Sequence, residues 1–205
     1  MEEHRAIERI KRGHLDGLEF LISKFQVKAV QTSYLILNDR GLAEDIVQSA
    51  FIKVTEIINS FDTHRPFEPW FMRIVINSSL SAYRGSMRLV SIAEEGPGPL
   101  PSWLIDSSQT LEELVETAET RREVLEAINR LSIKQRSALV MRYYMEMSDQ
   151  EISQFFQQPL TTTKWSLHSA KGRLRRLLYS IFPNKNIGNT SPSIYDQRSY
   201  NREKE

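Results

Sequence analysis

The chain of 205 residues contains no cysteine, which excludes disulfides, thiolate metal sites and cysteine nucleophiles. Its hydrophobic content of 40% suits a packed core. The N-terminus lacks an apolar leader segment and no window reaches the apolar length of a membrane span, so we expect a cytoplasmic protein without membrane insertion.

Charge is distributed unevenly behind the formal net charge of +1. Residues 91–120 carry seven acidic side chains and no basic one, whereas residues 121–182 carry eleven basic and five acidic ones. An acidic connector between a near-neutral N-terminal part and a basic C-terminal part is typical of a protein with a partner-binding end and a DNA-binding end.

Apolar periodicity predicts two helices in the N-terminal part, over residues 5–37 and 42–60. Gly13 and Gly17 weaken the start of the first. The second turns Val47, Ala50, Val54 and Ile57 inward, and its opposite face carries Glu44, Asp45, Gln48 and Lys53. Solvent exposure alone is the ordinary explanation of such a polar face.

The segment 61–71 contains two prolines and reads as a structured loop. Its aromatic and cationic side chains interleave, a composition that suits stacking on unpaired bases. The alternative is that the aromatic side chains fill the core. We favour this alternative for Trp70 and Phe71, because Ile74 and Val75 continue their apolar face. A further helix is predicted to end near Arg84.

Residues 85–110 are predicted to be a linker, because the Gly-Pro-rich run 96–101 excludes regular structure there. Helical patterns resume over 111–130 and after Ser132, where Ser132 and Gln135 match a capping box. After Pro183 the polar composition predicts a disordered tail. Strand-like alternation does not persist anywhere, so the predicted fold class is all-α.

The stretch 148–178 predicts two helices joined by a tight turn. Ser148 and Glu151 have the spacing of a capping box, and Met147 can pack on Ile152. Pro159 cannot lie in a helix interior but suits a helix start. The second helix then has an apolar stripe, with Thr163 at one step of it: Leu160, Leu167, Ala170, Leu174, Leu177 and Ile181.

The other side of this second helix suits a DNA major groove. Small hydroxyls, one indole and one imidazole share a face by their three- and four-residue spacing: Thr161, Thr162, Trp165, His168 and Ser169. Cations flank the face: Lys164, Lys171, Arg173, Arg175 and Arg176. Hydroxyls and imidazole can meet base edges while the cations hold phosphates. The alternative is a solvated helix face, since helix-turn-helix shapes also occur in proteins that bind no DNA.

Catalytic and metal-binding signals are weak. The four histidines are scattered without helical ligand spacing, and neither a phosphate-binding glycine loop nor a nucleophile elbow is present. We therefore expect a protein that is not an enzyme and needs no cofactor or metal.

Segments in both halves of the chain resemble the extracytoplasmic-function (ECF) sigma factors of bacteria. Residues 43–51 and 65–77 are similar to region 2 of that family, and residues 131–136, 141–144 and the capped helix-turn-helix are similar to region 4. The implied architecture is two small helical domains. Region 2 would occupy residues 1–90, an acidic Pro/Gly-containing linker 91–120, region 4 residues 121–182, and a tail 183–205.

The resemblance implies a dissociable promoter-specificity subunit whose partners are core RNA polymerase and promoter DNA; the sequence leaves an anti-sigma factor open. Core polymerase would bind Glu44, Asp45 and Gln48. The melted −10 element would bind Phe61, Arg65, Asn77 and Arg84. The family's contacts with the −35 duplex would fall on Lys164, Trp165, His168 and Ser169, and the helical spacing and flanking charge add Thr161, Thr162, Lys171 and Arg175 to this site. The linker would follow the RNA exit path, where its acidity mimics RNA.

Some positions depart from the family pattern. Gln157-Gln158 stand in the turn where Gly-Ile is usual, Thr163 replaces an apolar residue, and Ser166 and Ser169 replace common arginines. Two other functions stay open at this point. One is a helix-turn-helix regulator that acts without polymerase, and the other is a helical interaction protein without DNA affinity.

Overall fold

The structure is a computed structural model that describes residues 2–89 and 111–181, with side chains over 2–85 and 120–180. Every regular element in these two ranges is helical, as predicted. The helices are α1 (Glu2–Lys11), α2 (Asp16–Leu37), α3 (Arg40–Ile57), α4 (Phe67–Leu89), α5 (Leu111–Asn129), α6 (Ile133–Leu139), α7 (Asp149–Phe156) and α8 (Leu160–Ile181). A 3₁₀ turn, Ile58–Ser60, follows α3, and a π-helical turn, Val140–Tyr144, continues α6.

The prediction of one helix over 5–37 is wrong, because the chain turns between α1 and α2. Gly13 adopts a φ of +85°, a conformation that ends a helix and that glycine takes without a steric penalty. Gly17 lies against α1, where an added Cβ would stand 2.3 Å from the carbonyl oxygen of Ala6. The two glycines therefore fold α1 back onto α2.

The other helix limits are also set by local chemistry. Asp39 caps α3 by accepting a hydrogen bond from the Leu42 amide at 2.9 Å, so the helix begins at Arg40, two residues before the predicted start. Helix α4 continues to Leu89, beyond the predicted end near Arg84. Helix α5 begins at Leu111, as the helical pattern over 111–130 predicted, and so lies partly within the range 91–120 assigned to the linker. The predictions for 96–101 and for the tail after Pro183 fall outside the described residues.

Helices α1 to α4 enclose an aromatic core. Phe67 and Phe71 are fully buried and stack with centroids 5.7 Å apart, and Phe25 and Phe51 lie against them at 5.5 and 4.5 Å. Burial of such rings is the main favourable term in folding. Phe71 thus fills the core, as expected.

A second core joins the N-terminal helices to α6, α7 and α8. Ile36 of α2 and Ile76 of α4 are buried in one apolar cluster with Met141 and Ile152. Polar contacts reinforce this junction: Thr32 Oγ1 lies 3.5 Å from Met145 Sδ, and Tyr144 donates a hydrogen bond to the Gln31 side chain. The two halves of the chain are therefore packed against each other in this conformation.

Candidate nucleic-acid interface

The turn before α8 is held by local hydrogen bonds. Ser148 caps α7, and both halves of its capping box with Glu151 are present, as predicted. The hydroxyl of Ser153 donates to the Gln158 carbonyl at 2.7 Å, while Gln157 adopts the left-handed conformation with φ of 52°. Glycine is usual at such a helix end, because a Cβ is unfavourable there. Gln157, where the family usually has glycine, therefore leaves the turn intact but lowers its stability.

Thr163 completes the inner face of α8. Its side chain is 1% exposed, and its hydroxyl accepts a hydrogen bond from Gln158 Nε2 at 2.9 Å. Leu167 and Ala170 continue this face into the second core. Leu160, in contrast, is 39% exposed, so it is not part of the buried stripe that its spacing predicts.

The outer face of α8 is exposed, and its largest apolar group is an indole. Trp165 is 77% exposed, so its indole is not part of the core. The proposed −35 residues around it are exposed, except that Ser169 is partly buried: Thr161, Thr162, Lys164, His168, Lys171 and Arg175. The structure thus brings all eight onto one accessible side of one helix.

The flanking cations are not equivalent. Arg173 donates a hydrogen bond to the Arg130 carbonyl at 3.2 Å and so ties α8 to the end of α5. Lys171, Arg175 and Arg176 are exposed. These three remain available for phosphates, whereas Arg173 has a structural partner.

The loop between α3 and α4 presents a different set of groups. The Asp62 side chain accepts one hydrogen bond from the His64 amide at 3.0 Å and forms an ion pair with Arg65 at 3.4 Å. The Arg65 side chain is 80% exposed. Asn77 and Arg84 are exposed seven residues apart on α4, so they share a face.

The structure corrects the prediction for Phe61, whose ring belongs to the core. Phe61 is 4% exposed, and its ring centroid lies 5.6 Å from that of Phe67 and 4.9 Å from that of Trp70. Lys11 Nζ donates to its carbonyl oxygen at 2.8 Å. Phe61 therefore anchors the loop and has no face available for a base in this conformation.

A groove of 730 Å³ runs between α2 and α3 beside the predicted polymerase-binding residues. Glu44, Asp45 and Gln48 form its polar rim, and Glu44 pairs with Arg40 at 2.8 Å. Val27 and Ile52 line it while remaining 61% and 57% exposed. Neither residue was predicted from the sequence to belong to this surface. Ile52 could have been found, because it lies four residues after Gln48, but nothing in the pattern of α2 marks Val27 as exposed.

The described residues offer no cluster of three or more histidine, aspartate or glutamate side chains able to hold a metal ion. Among the same residues, no helix combines the length and the apolar composition that crossing a bilayer requires. Within the described part of the chain, the predicted site residues lie on or beside three surfaces: the basic helix face, the loop with α4, and the groove.

Two family models match the chain. The family model described as Sigma-70 region 2 matches residues 21–89, which begin within α2 and end with α4. The model described as Sigma-70, region 4 matches residues 121–174, from within α5 into α8. Together the two models cover more than half of the chain.

Characterised relatives match over most of their length. The chain is 28% identical over 181 residues to the ECF RNA polymerase sigma factor SigW of Bacillus subtilis, covering 86% of this chain and 97% of that protein. It is 24% identical over 177 residues to the ECF RNA polymerase sigma-E factor of Haemophilus influenzae, covering 83% and 92%.

Two solved structures share the fold. CnrH in complex with the cytosolic domain of CnrY aligns with a TM-score of 0.59 at 19% identity, over 88% of this chain and 99% of that one. The sigma factor RpoE of Bartonella quintana, in complex with the anti-sigma factor NepR, aligns with a TM-score of 0.59 at 20% identity, over 78% and 97%.

Proposed function

This chain belongs to the ECF type of the sigma-70 family of RNA polymerase sigma factors, and we propose which of its surfaces bind core polymerase and which bind promoter DNA. It is a non-enzymatic subunit that binds RNA polymerase and directs it to promoter DNA. The region 2 match over residues 21–89 decides against a helix-turn-helix regulator that acts without polymerase. We assign residues 1–90 to region 2, 91–120 to the linker, 121–182 to region 4 and 183–205 to a tail.

The groove between α2 and α3 is our proposed docking site for core polymerase. Its apolar floor and polar rim suit an amphipathic helix, which lays its apolar side into such grooves. Val27 and Ile52 would supply apolar contact, while Asp45 and Gln48 would fix the register. Exposed apolar side chains beside a groove are a usual mark of a partner surface.

The loop after α3 and the exposed face of α4 are our proposed −10 site. Arg65, Asn77 and Arg84 can reach bases or phosphates of an unwound strand without disturbing the core. Phe61 supports this site from within by packing on Phe67 and Trp70.

The outer face of α8 is our proposed −35 reading surface, and the exposure of Trp165 is the observation that carries it. An indole that is 77% exposed on the second helix of a helix-turn-helix is placed where such helices contact base edges. Thr161, Thr162, His168 and Ser169 lie beside it for base edges. Lys164, Lys171 and Arg175 provide charge for the phosphates.

In vitro transcription tests the proposal. Purified core polymerase, the full chain and genomic templates should give transcripts whose mapped 5′ ends share upstream elements near −35 and −10. Trp165→Ala should lose the −35 dependence and keep core binding. The absence of specific initiation with the wild-type chain, despite core binding, would contradict the assignment of both DNA surfaces.

We extend the proposal to location and to an inhibitory partner. Core polymerase requires that the chain act in the cytoplasm. CnrH and the Bartonella quintana factor were solved with CnrY and NepR, and the likeness of fold supports an anti-sigma factor for this chain. Such a partner should reduce holoenzyme formation in a polarisation titration. A bound inhibitor that leaves holoenzyme formation unchanged would contradict this role.

A further inference from the structure

Gly172 lies in the interior of α8 without an internal reason for being glycine. Glycine destabilises a helix relative to alanine, because it loses more conformational freedom on folding. A Cβ added at Gly172 would meet no atom within 4 Å in the part of the chain that the structure describes. Gly17, in contrast, is required by the backbone of α1. The described fold therefore does not require glycine at position 172, and this point of α8 is open to a ligand.

Gly172 also forms the floor of a concavity on the proposed reading face. The concavity has a volume of 410 Å³ and is lined by Trp165, His168, Ser169, Gly172 and Arg176. The missing side chain leaves a gap between the indole on one side and the guanidinium of Arg176 on the other. The exposed guanidinium of Arg176 and the exposed imidazole of His168 border this gap. A guanidinium in that position suits an anionic group such as a phosphate, and the gap leaves room for a bulky ligand.

The position of Gly172 along α8 indicates which part of a DNA duplex would fill the concavity. An α-helix rises 1.5 Å per residue, so Gly172 lies about 10 Å beyond Trp165 along α8. The major groove is about 12 Å wide, so its phosphate wall stands about 6 Å from the centre of the groove. If Trp165 lies over the bases, Gly172 therefore lies beyond the half-width of the groove, on the side where a sugar-phosphate strand borders it.

We propose that Gly172 is the point where one phosphodiester strand of the −35 duplex rests on the backbone of α8, with Arg176 holding its phosphate. This inference rests on the proposed −35 role of α8 and deepens it. A side chain at position 172 would lift the helix from the groove. Gly172 thus sets the depth at which Trp165 and His168 reach the base pairs.

The test compares Gly172→Ala with Gly85→Ala in the holoenzyme. Gly85 is the matched control, because it also lies exposed in a helix with no atom within 4 Å of an added Cβ. Both variants should melt about 2–4 °C higher, since alanine is the better helix former. Only Gly172→Ala should bind a −35 duplex more weakly, by about five- to tenfold, as overpacking a close contact does. The duplex is the one that the wild-type holoenzyme selects from randomised −35 sequences.

Salt dependence then identifies the phosphate. Arg176→Ala should lower the slope of log affinity against log salt by about one unit, because one phosphate contact is lost. Gly172→Ala should lower this slope by about the same amount. The double variant should lower it no further, since both substitutions remove the same phosphate contact. Independent, additive losses would overturn the shared phosphate site.

Other outcomes separate this inference from the function on which it rests. If Gly172→Ala gains stability and binds the selected duplex as tightly as wild type, the close approach at Gly172 is refuted while the reading face stands. A loss confined to core polymerase affinity would also overturn it and would place a protein contact at Gly172. If wild-type holoenzyme does not distinguish selected from scrambled −35 duplexes, the reading face and this inference fail together.

Discussion

Arg136 Nη1 donates a hydrogen bond to the carbonyl oxygen of Ile36 at 2.8 Å, joining α6 to the end of α2. Nη2 of the same side chain donates to the Asn129 carbonyl at 2.7 Å. Arg136 is 6% exposed, and burial lowers the pKa of its guanidinium from the usual value. One side chain thus satisfies two main-chain acceptors that come from different halves of the chain.

Removal of Arg136 should destabilise the whole chain. Arg136→Ala is expected to lower the free energy of unfolding by about 2–4 kcal/mol, because two buried acceptors lose their donor and the packing of the stem is lost. Arg136→Lys should recover only part, since an ammonium lacks the planar fork. Urea denaturation measures both. Lys134→Ala, at an exposed position two residues earlier, is the control and should change stability by less than about 0.5 kcal/mol.

Polar and apolar residues of the groove between α2 and α3 should both contribute to the affinity for core polymerase. Replacing Asp45 and Gln48 together by Ala should weaken the affinity for core polymerase, and Ile52→Ala should weaken it further by about tenfold, because a buried aliphatic contact is lost. A fluorescence polarisation titration with labelled chain measures the affinity. Glu126→Ala removes one acidic charge on α5 and should leave it unchanged. Equal affinities for all these variants would remove the groove from the interface.

The loop and α4 should act in DNA melting. Arg65→Ala and Asn77→Ala are expected to reduce open complex more than closed complex, because contacts to an unstacked base contribute about 1–3 kcal/mol. Permanganate footprinting of the −10 region measures the melted strand. Phe61→Ala should behave differently and lower stability by about 3–5 kcal/mol, as expected for a truncated core ring. An unchanged footprint in both exposed variants would give the loop a structural role only.

The two classes of contact on α8 should separate in binding experiments. Loss of Lys171 or Arg175 should weaken all promoters alike and lower the salt slope by about one unit each. Loss of Trp165 or His168 should change the preferred −35 sequence, since one good base contact discriminates by about 1–3 kcal/mol. Selection on randomised −35 sequences, with melting curves alongside, tests this. An unaltered preference in Trp165→Ala would remove the indole from base readout.

Acid should weaken the cap of the helix-turn-helix. Hydrogen bonds from the Ser148 hydroxyl and amide lower the pKa of Glu151 below its ordinary value of 4.5. A carboxyl whose folded pKa is depressed stabilises fully above the unfolded pKa, and this stabilisation is lost as the pH falls through the folded value. The contribution should therefore be complete above pH 4.5 and decline below it. Glu151→Gln keeps the capping geometry and should remove this part of the pH dependence in circular dichroism melts; an identical acid profile would contradict the assignment.

Local sequence chemistry predicted the elements that depend on a few neighbouring residues. The capping boxes at Ser132 and Ser148 form as predicted, because each needs only a hydroxyl and an acceptor three residues later. The exposed face around Trp165 followed from helical spacing. Thr163 was assigned to the inner stripe, and the hydrogen bond that its hydroxyl accepts from Gln158 Nε2 explains why a polar group is tolerated there.

Contacts between residues distant in sequence determine the features that local sequence patterns did not predict. The composition around Phe61 suited base stacking equally well, and only its position beside Phe67 and Trp70 shows that the ring is buried. The break between α1 and α2 depends on the contact of Gly17 with Ala6, which no local pattern predicts. The exposure of Val27 likewise depends on where α3 lies.

The second core has a consequence for folding. Because Ile36, Ile76 and Leu80 share one buried cluster with Met141 and Ile152, neither half can unfold without exposing apolar surface of the other. Calorimetry should therefore give a single cooperative transition with equal calorimetric and van't Hoff enthalpies. A substitution such as Ile152→Ala would shift the melting of α2 and α4 as well. The unfolding free energy of this chain is thus a property of both halves jointly and cannot be assigned to either one.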